Sequence, residues 1–161
     1  MDEHQTQCAI GMAEACDMTD AEKRAVAHGL FEAWSYRGAV ETLDKFAHPD
    51  IVLFDMHIGE HRGLAVVKEL LVKGLAMWPD MDYEVGDIWV NRDGAAINWV
   101  MTGTVTEALA SKYGQDRVGR QWRSAGMSAL RMVRGLVVHE FDYYDPGAVR
   151  RSLGLSRRPG T

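Results

Sequence analysis

Residues 83–106 read YEVGDIWVNRDGAAINWVMTGTVT, and this stretch decides the fold class. β-Branched and aromatic side chains are frequent at both of its ends, as is typical of β-strands. Asp93-Gly94 lies between them, and the glycine supplies the positive φ angle that a tight hairpin turn requires. The stretch therefore predicts two antiparallel strands, Tyr83 to Val90 and Ala95 to Thr106, joined by a turn at 91–94.

The segments on either side of this hairpin complete an α+β pattern. Two more strands are predicted after it, from Arg120 to Val133 and from Leu136 to Asp145. Thr19 and Glu22 have the spacing of a capping box, so the first helix is expected to begin at Asp20. The remaining predicted elements are helices from Asp20 to about Tyr36, from Val40 to Phe46 and from Leu64 to Trp78, a strand at Ile51 to Phe54, and a loop between Gly59 and Gly63. Helices first and consecutive strands later predict helices packed on one face of a mostly antiparallel sheet.

Length and composition are those of one globular domain, with 161 residues of which 47% are hydrophobic and 25% charged. We place the domain at 19–154, between flexible tails at 1–18 and 155–161. The formal net charge of −5 disfavours nucleic acid and anionic membranes as partners. Cys8 and Cys16 match neither a zinc spacing nor a disulfide framework, and the first residues lack the features of a signal peptide. We therefore expect a cytoplasmic protein with reduced thiols.

A series of short motifs lies at the ends of the predicted elements. Its members are His48-Pro49-Asp50, Gly63, Trp99, Gly103-Thr104, the run from His139 to Asp145, and Leu153-Gly154. The series resembles the nuclear transport factor 2-like superfamily, and within it the SnoaL-like polyketide cyclases and the ketosteroid isomerases. The resemblance covers Thr19 to Gly154 and implies a cone-shaped α+β barrel, with three N-terminal helices packed on a curved sheet. It also implies an apolar pocket for flat hydrophobic molecules, carboxylates for proton transfer, and no cofactor.

Two aspartates match positions that carry catalytic acids in these groups. By its place relative to Leu153-Gly154, Asp142 resembles the general acid/base of SnoaL-like cyclases. Asp55, at the end of the first strand, resembles the proton shuttle of ketosteroid isomerases. Burial and mutual repulsion would separate the pKa values of two such carboxyl groups and make one an acid and the other a base. The structural alternative for Asp55 is an ordinary carboxylate at a strand end.

The alternation of polar and apolar residues and the family resemblance predict opposite faces of the last strand for the Asp142 side chain. Plain alternation puts Asp142 on the outer face with Val138, Glu140 and Tyr144, because the other face is more apolar. The resemblance puts Asp142 inside the pocket. We follow the resemblance, because an aromatic outer face can be covered by a second subunit, and we therefore expect a homodimer.

The hydrogen-bond donors of the reference groups are not preserved. Leu30 and Ser128 stand where the isomerases hold their tyrosine and aspartic acid donors, and Ser128 also replaces the pocket histidine of the cyclases. An oxyanion would have to be stabilised by one of the remaining candidates, which are Ser128, His57, Trp99, Tyr36 and Arg123. The substrate or the reaction is therefore expected to differ from both groups.

Other side chains are candidates for lining the pocket. Trp34, Trp122, Met127 and Tyr144 are expected to contact the substrate, although aromatic residues and methionines at regular spacing are more often simply core. A basic group surrounds a glycine-containing loop and could receive a carboxylate or phenolate, or could be merely solvated; its members are Lys112, Arg117, Arg120 and Arg123.

Two further motifs lack the structural context that their usual functions require. His57-Ile58-Gly59-Glu60-His61 matches the H-x-x-E-H pattern of one zinc-protease class, but that pattern needs a helix and Gly59 interrupts a loop here. No metal is therefore expected. The epoxide hydrolases of the superfamily pair an arginine with an acid, whereas Arg131 is followed two residues later by Val133.

These observations predict a cofactor-free acid/base enzyme of secondary metabolism that acts on a hydrophobic polycyclic or polyketide-like ketone. Asp142 and Asp55 are the predicted acid/base residues, and intramolecular aldol cyclisation is the preferred reaction. The alternatives are an isomerase, a dehydratase, an epoxide-opening enzyme, or a domain that binds a small molecule or dimerises without catalysis.

Overall fold

Six strands form one sheet in the computed structural model, which describes residues 18–155. The strands are β1 (Ala47–Asp55), β2 (Gly59–Arg62), β3 (Asp82–Asn91), β4 (Gly94–Thr104), β5 (Gln121–Val133) and β6 (Leu136–Tyr144). Their order across the sheet is β2-β1-β6-β5-β4-β3, and β1–β6 is the parallel pair. The predicted mostly antiparallel sheet is confirmed. The predicted tails and the two cysteines fall outside the described residues, apart from Met18 and Leu155.

Short and long helices are distributed along the chain between these strands. The α-helices are α1 (Asp20–Ala33), α2 (Leu64–Met77), α3 (Ala110–Tyr113) and α4 (Ala148–Ser152), and the 3-10 helices are Val40–Lys45, Glu107–Leu109 and Gln115–Arg117. The predicted capping box begins α1: Thr19 Oγ1 accepts a hydrogen bond from the Glu22 amide at 3.3 Å, and the Glu22 carboxylate accepts one from the Thr19 amide at 2.7 Å.

The main core lies between the sheet and the two long helices. α1 packs on β3 and β4, whereas α2 packs on β1. The side chains that fill this layer include Leu30, Phe31, Leu71 and Ile97, all of which are buried. The α+β cone, with a curved and unclosed sheet, is therefore the observed architecture.

A second, smaller hydrophobic core lies beside the main one, and Trp78 packs against both. Trp122 is the largest member of the second core and packs on Trp78 with ring centroids 4.7 Å apart. The other buried members are Val105, Leu109, Tyr113 and Leu153. The connection from β4 to β5, predicted only as a loop, therefore folds into α3 and two 3-10 helices because it has this apolar cluster to cover.

Two predicted elements differ from the structure. The second predicted helix is a 3-10 helix, and the predicted loop at 59–63 contains β2, which pairs with the end of β1. β2 is a short edge strand of Gly59, Glu60, His61 and Arg62, so it lacks the apolar alternation by which strands are predicted from sequence.

One β-bulge decides which side chains of β6 face the interior. Arg131 and Met132 are adjacent on β5 but pair with His139 and Val137, so Val138 is an extra residue on β6. The bulge shifts the alternation by one residue, and Glu140, which is 1% exposed, points inward. Asp142 follows on the same face. The prediction from plain alternation is therefore wrong, and Asp142 faces the interior as the resemblance implied.

Gly126 of β5 makes room for an aromatic ring that helps to form the interior. Trp99 is its cross-strand partner on β4, and a Cβ atom added at Gly126 would lie 2.3 Å from Cη2 of Trp99. Gly126→Val is expected to lower the free energy of unfolding by about 2–3 kcal/mol, because the indole must move. Urea unfolding measures this.

Gly74→Ala is the matched control, because the added methyl group in α2 would meet only Met81 Cε, at 3.7 Å. This change should raise the free energy of unfolding by about 0.5–1 kcal/mol through helix propensity. Equal stability of Gly126→Val and the wild type would show that the Trp99 side chain is not confined by β5.

Candidate active site

An apolar cavity of about 320 Å³ opens between α1, α2 and the concave face of the sheet. Its volume is at the lower end of the range for small-molecule pockets. Most of the lining is apolar or aromatic, with three acidic side chains, two phenols and one lysine among the described residues. The lining residues are Phe31, Trp34, Leu53, Asp55, Ile58, Leu70, Leu71, Lys73, Gly74, Met77, Trp78, Met81, Tyr83, Trp99, Met101, Glu140, Asp142 and Tyr144.

The parallel pairing of β1 with β6 brings the two predicted aspartates together. Asp55 and Asp142 are direct partners in the register, and residues opposite each other in a parallel pair point to the same face. Both side chains line the cavity.

The Asp55 carboxylate accepts hydrogen bonds from three different donors. Its Oδ1 accepts hydrogen bonds from the amides of His57 at 2.7 Å and of Ile58 at 3.0 Å. The Tyr144 hydroxyl donates to Asp55, lying 3.0 Å from Oδ2 and 3.1 Å from Oδ1. The carboxylate therefore closes the β1–β2 turn and also orients a phenol in the cavity.

Asp142 is partly buried in the cavity wall and has one specific side-chain donor. The Ser128 hydroxyl donates to its Oδ1 at 2.5 Å, and Trp99 Nε1 donates to Ser128 Oγ at 2.8 Å. Burial raises the pKa of Asp142 to about 7, and the charge of Asp55 acts in the same direction, while the hydrogen bond from Ser128 opposes them. A carboxyl group with this pKa can take up and release a proton at neutral pH.

Glu140 is buried still more completely. Neither of its carboxyl oxygens has a hydrogen-bond partner among residues 18–155, and the same is true of Trp34 Nε1. Burial raises the pKa of Glu140 well above its usual range, and the charge of Asp142 adds to the effect. Trp34 is close enough to lower this pKa as a donor, but the two groups do not reach hydrogen-bond geometry. A buried carboxyl group without a donor therefore favours its neutral form at Glu140.

Two phenols complete the polar part of the lining. Burial raises the pKa of Tyr83 well above its usual value, and the charges of Asp142 and Glu140 act in the same direction. Burial and then the charge of Asp55 raise the pKa of Tyr144. Both hydroxyl groups therefore stay protonated and are hydrogen-bond donors. Tyr83 is held by edge contacts with Phe31 and Trp99, each with ring centroids 5.4 Å apart.

The structure brings only some of the predicted site residues to the cavity. Trp34, Trp99 and Tyr144 line it together with the two aspartates, and Ser128 lies directly behind Asp142. Five predicted residues lie elsewhere, because they belong to the core or to the outer surface. Leu30 is in the main core, Trp122 is in the second core, Tyr36 and Met127 are 51% and 44% exposed, and Arg123 is exposed.

His57 and the basic group also lie away from the lining. The His57 side chain is exposed in the β1–β2 turn, where only its amide contacts Asp55. Lys112, Arg117, Arg120 and Arg123 do not line the cavity; Arg117 donates to the carbonyl of Leu153 and pairs with Asp116. His61 is in β2, so H-x-x-E-H is not helical. Residues 18–155 contain no group of three potential ligands placed to hold a metal ion, and no helix there could cross a membrane.

Glu140, Tyr83 and Lys73 are polar residues of the lining that the sequence analysis missed. Tyr83 and Val85 alternate at the start of β3, which was a sufficient signal to place the phenol inward. For Glu140 the available signal was an acid two residues before Asp142 and therefore on the same face of β6, but alternation without the bulge at Val138 placed that face outward.

Ser128→Ala should raise the pKa of Asp142 further, by about one to two units, because the donor to the charged carboxylate is lost. A pH titration of the ¹³C carboxyl resonance of Asp142 measures this shift. Ser124→Ala is the control, since Ser124 is buried on the same face of β5 but its hydroxyl lacks a partner within the described residues. Identical shifts in both variants would contradict a specific role of Ser128.

The fold and the cavity define a class of protein: a cone-shaped α+β domain with an internal, carboxyl-bearing pocket of small-molecule size. The chain belongs to the SnoaL-like domain family, whose profile matches residues 27–140. The predicted resemblance is thereby confirmed. A search of curated proteins finds no significant match.

Several solved structures share this fold. AclR, a candidate hydroxylase from Streptomyces galilaeus, is 26% identical with a TM-score of 0.68, over 88% of this chain and 91% of AclR. A candidate polyketide cyclase from Acidithiobacillus ferrooxidans is 20% identical with a TM-score of 0.72, over 85% and 98% of the two chains. IdmH, a candidate polyketide cyclase from Streptomyces antibioticus, is 23% identical with a TM-score of 0.70, over 83% and 99%.

Proposed function

We propose that this protein is a cofactor-free acid/base enzyme of secondary metabolism that acts on a hydrophobic polycyclic or polyketide-like ketone. The observation that carries the proposal is Asp142, a partly buried carboxyl group that lines an apolar cavity and whose pKa is raised to about 7. The names of two similar structures, candidate polyketide cyclases, support the same substrate class.

Intramolecular aldol ring closure is the reaction that we prefer. Ionised Asp142 takes a proton from the carbon next to a carbonyl group, and an enolate forms. The enolate carbon attacks a second carbonyl group of the same molecule, so one carbon–carbon bond forms and an alkoxide results. Protonated Asp142 then returns the proton to the alkoxide. Atoms and charges balance without a further reactant.

Asp55 is proposed to be the second acid/base group, working with Tyr144. The Tyr144 phenol lines the cavity and donates to the Asp55 carboxylate, so the pair can deliver a proton to, or accept one from, a bound oxygen. A double-bond isomerisation is the second candidate reaction, because two carboxyl groups in one cavity can remove a proton at one carbon and return it at another.

The test uses 2-tetralone, a flat bicyclic ketone, as a probe. We expect the protein to accelerate the exchange of its α-protons in D₂O, followed by proton NMR, with activity rising as the pH passes through about 7. Binding of the ketone without accelerated exchange would contradict the enzyme and favour a non-catalytic ligand-binding domain. If the protein neither binds the ketone nor accelerates its exchange, the proposed substrate class is contradicted as well.

We also propose that the chain forms a homodimer through the outer face of the sheet. Phe54, Phe141 and Tyr143 cluster there, with ring centroids 6.4–6.5 Å apart, and Tyr143 is 52% exposed. Sedimentation at micromolar concentration is expected to show the dimer, and Tyr143→Glu should give monomers. A wild-type monomer at these concentrations would contradict the proposal.

A further inference from the structure

Two acids lie side by side on the inner face of β6 and differ in their hydrogen bonding. Glu140 and Asp142 are separated by one residue, and both line the cavity. Asp142 accepts a hydrogen bond from Ser128, whereas the oxygens of Glu140 have no partner among the described residues. A donor stabilises the ionised form of a carboxyl group, and burial without a donor stabilises the neutral form. If the carboxyl groups of Glu140 and Asp142 hold one proton between them, that proton therefore resides on Glu140.

The surroundings of Glu140 explain why its proton is retained and where it can be donated. Its cross-strand neighbours are Leu53 on β1 and Leu130 on β5, which are apolar and buried. The titratable groups of the cavity are Asp55 on β1, Lys73 on α2, Tyr83 on β3, and Asp142 and Tyr144 on β6. Asp55 and Asp142 outnumber the one lysine of the lining, so their negative charges disfavour ionisation of Glu140. A buried hydroxyl without a partner costs free energy, and a ligand oxygen that comes within hydrogen-bond distance of the Glu140 carboxyl group would remove that cost.

We propose that Glu140 holds a proton in the cavity and donates it as a hydrogen bond to the carbonyl oxygen of the substrate, while Asp142 removes the proton from the adjacent carbon. The inference rests on the proposed function and assigns different roles to the two neighbouring acids. As the enolate forms, negative charge develops on the oxygen that Glu140 faces, so the hydrogen bond strengthens in the transition state. Glu140 keeps its proton throughout, and the proton that moves is carried by Asp142.

The assignment also defines the ligand. The group that Glu140 recognises is a hydrogen-bond acceptor without a proton, such as a ketone or an enolate oxygen. A carboxylate ligand would add a negative charge beside Asp55 and Asp142 and should be rejected. The matched probes are 2-tetralone and 2-naphthoate, which have similar ring systems and differ in charge.

The experiment compares Glu140→Gln, Glu140→Met and Asp142→Asn. Glutamine keeps a donor but cannot ionise, whereas methionine has a similar length without a donor. We expect 2-tetralone exchange within about fivefold of wild type for Glu140→Gln, with the apparent pKa near 7 retained. Exchange should fall by about 10²-fold for Glu140→Met. In wild-type protein, the Glu140 ¹³C carboxyl resonance should remain that of the neutral acid at pH 8. Binding of 2-tetralone should exceed that of 2-naphthoate at least tenfold.

Each contrary result has a definite meaning. Loss of exchange in Glu140→Gln as complete as in Asp142→Asn would make Glu140 the base and overturn the assignment, as would full activity of Glu140→Met. An ionised Glu140 in the NMR titration at pH 7, or equal binding of the two probes, would also overturn it. If the wild-type protein does not accelerate exchange, the proposed function fails, while the titration still decides which acid holds the proton.

Discussion

Asp142→Asn is expected to slow 2-tetralone exchange by about 10³-fold, while binding of the ketone is retained. Asparagine fills nearly the same space and can still contact Ser128, but its amide cannot accept a proton. The loss should therefore appear in the rate constant at saturation and not in the Michaelis constant. The pH dependence near 7 should disappear with the titrating group.

The matched control is Asp87→Asn, because Asp87 is exposed on β3 and lies away from the cavity. It should keep full activity and the same pH profile. An Asp142→Asn variant with wild-type exchange would remove Asp142 from the mechanism, and the base would then have to be sought at Asp55 or Glu140.

The second large effect is on stability, and its direction follows from the raised pKa values. Asp142 has a pKa of about 7 in the folded protein and an ordinary value near 4 in the unfolded chain. Between these values the unfolded chain releases a proton that the folded protein retains, so the free energy of unfolding falls as the pH rises. Below pH 4 Asp142 is protonated in both the folded and the unfolded state, so it does not lower the free energy of unfolding there. Glu140 acts in the same direction, because burial raises its pKa as well.

Urea unfolding should therefore give a wild-type protein that is less stable at pH 8 than at pH 5, with about 3 kcal/mol of the difference from Asp142 and a further contribution from Glu140. Asp142→Asn and Glu140→Gln should each flatten this dependence, and Asp142→Asn should be more stable than wild type at pH 8. The acids of the cavity would then lower the stability of the folded protein at the neutral pH at which they are proposed to act in catalysis. Wild-type stability that is constant or rises from pH 5 to pH 8 would contradict the buried, protonated state of these groups.

Local patterns in the sequence were sufficient for most of the elements. The capping box at Thr19, the apolar spacing of α2 and the Asp93-Gly94 turn each involve residues within a few positions of one another, so their physical causes can be read directly. β2 was missed because an edge strand is held by backbone hydrogen bonds to β1, which polar side chains do not reveal.

The candidate site was predicted only in part for the same reason. Trp34, Trp99 and Tyr144 were proposed as pocket residues and line the cavity, whereas Trp122 packs into a second core that has no local signature. Aromatic side chains at regular spacing indicate burial but not whether a ligand or another side chain covers them. Glu140 points inward because of the bulge in the pairing of β6 with β5, which the local sequence does not show.

The sequence by itself determined the α+β class, the antiparallel hairpins and the family, because periodicity and turn chemistry act over short distances. Only the tertiary structure decided which acids share one cavity. The parallel pairing of β1 with β6 places Asp55 opposite Asp142, and the extra residue Val138 turns Glu140 and Asp142 inward. The physical reason is that a carboxyl group's pKa depends on burial and on donors such as Ser128, which are distant in the chain and meet only after folding.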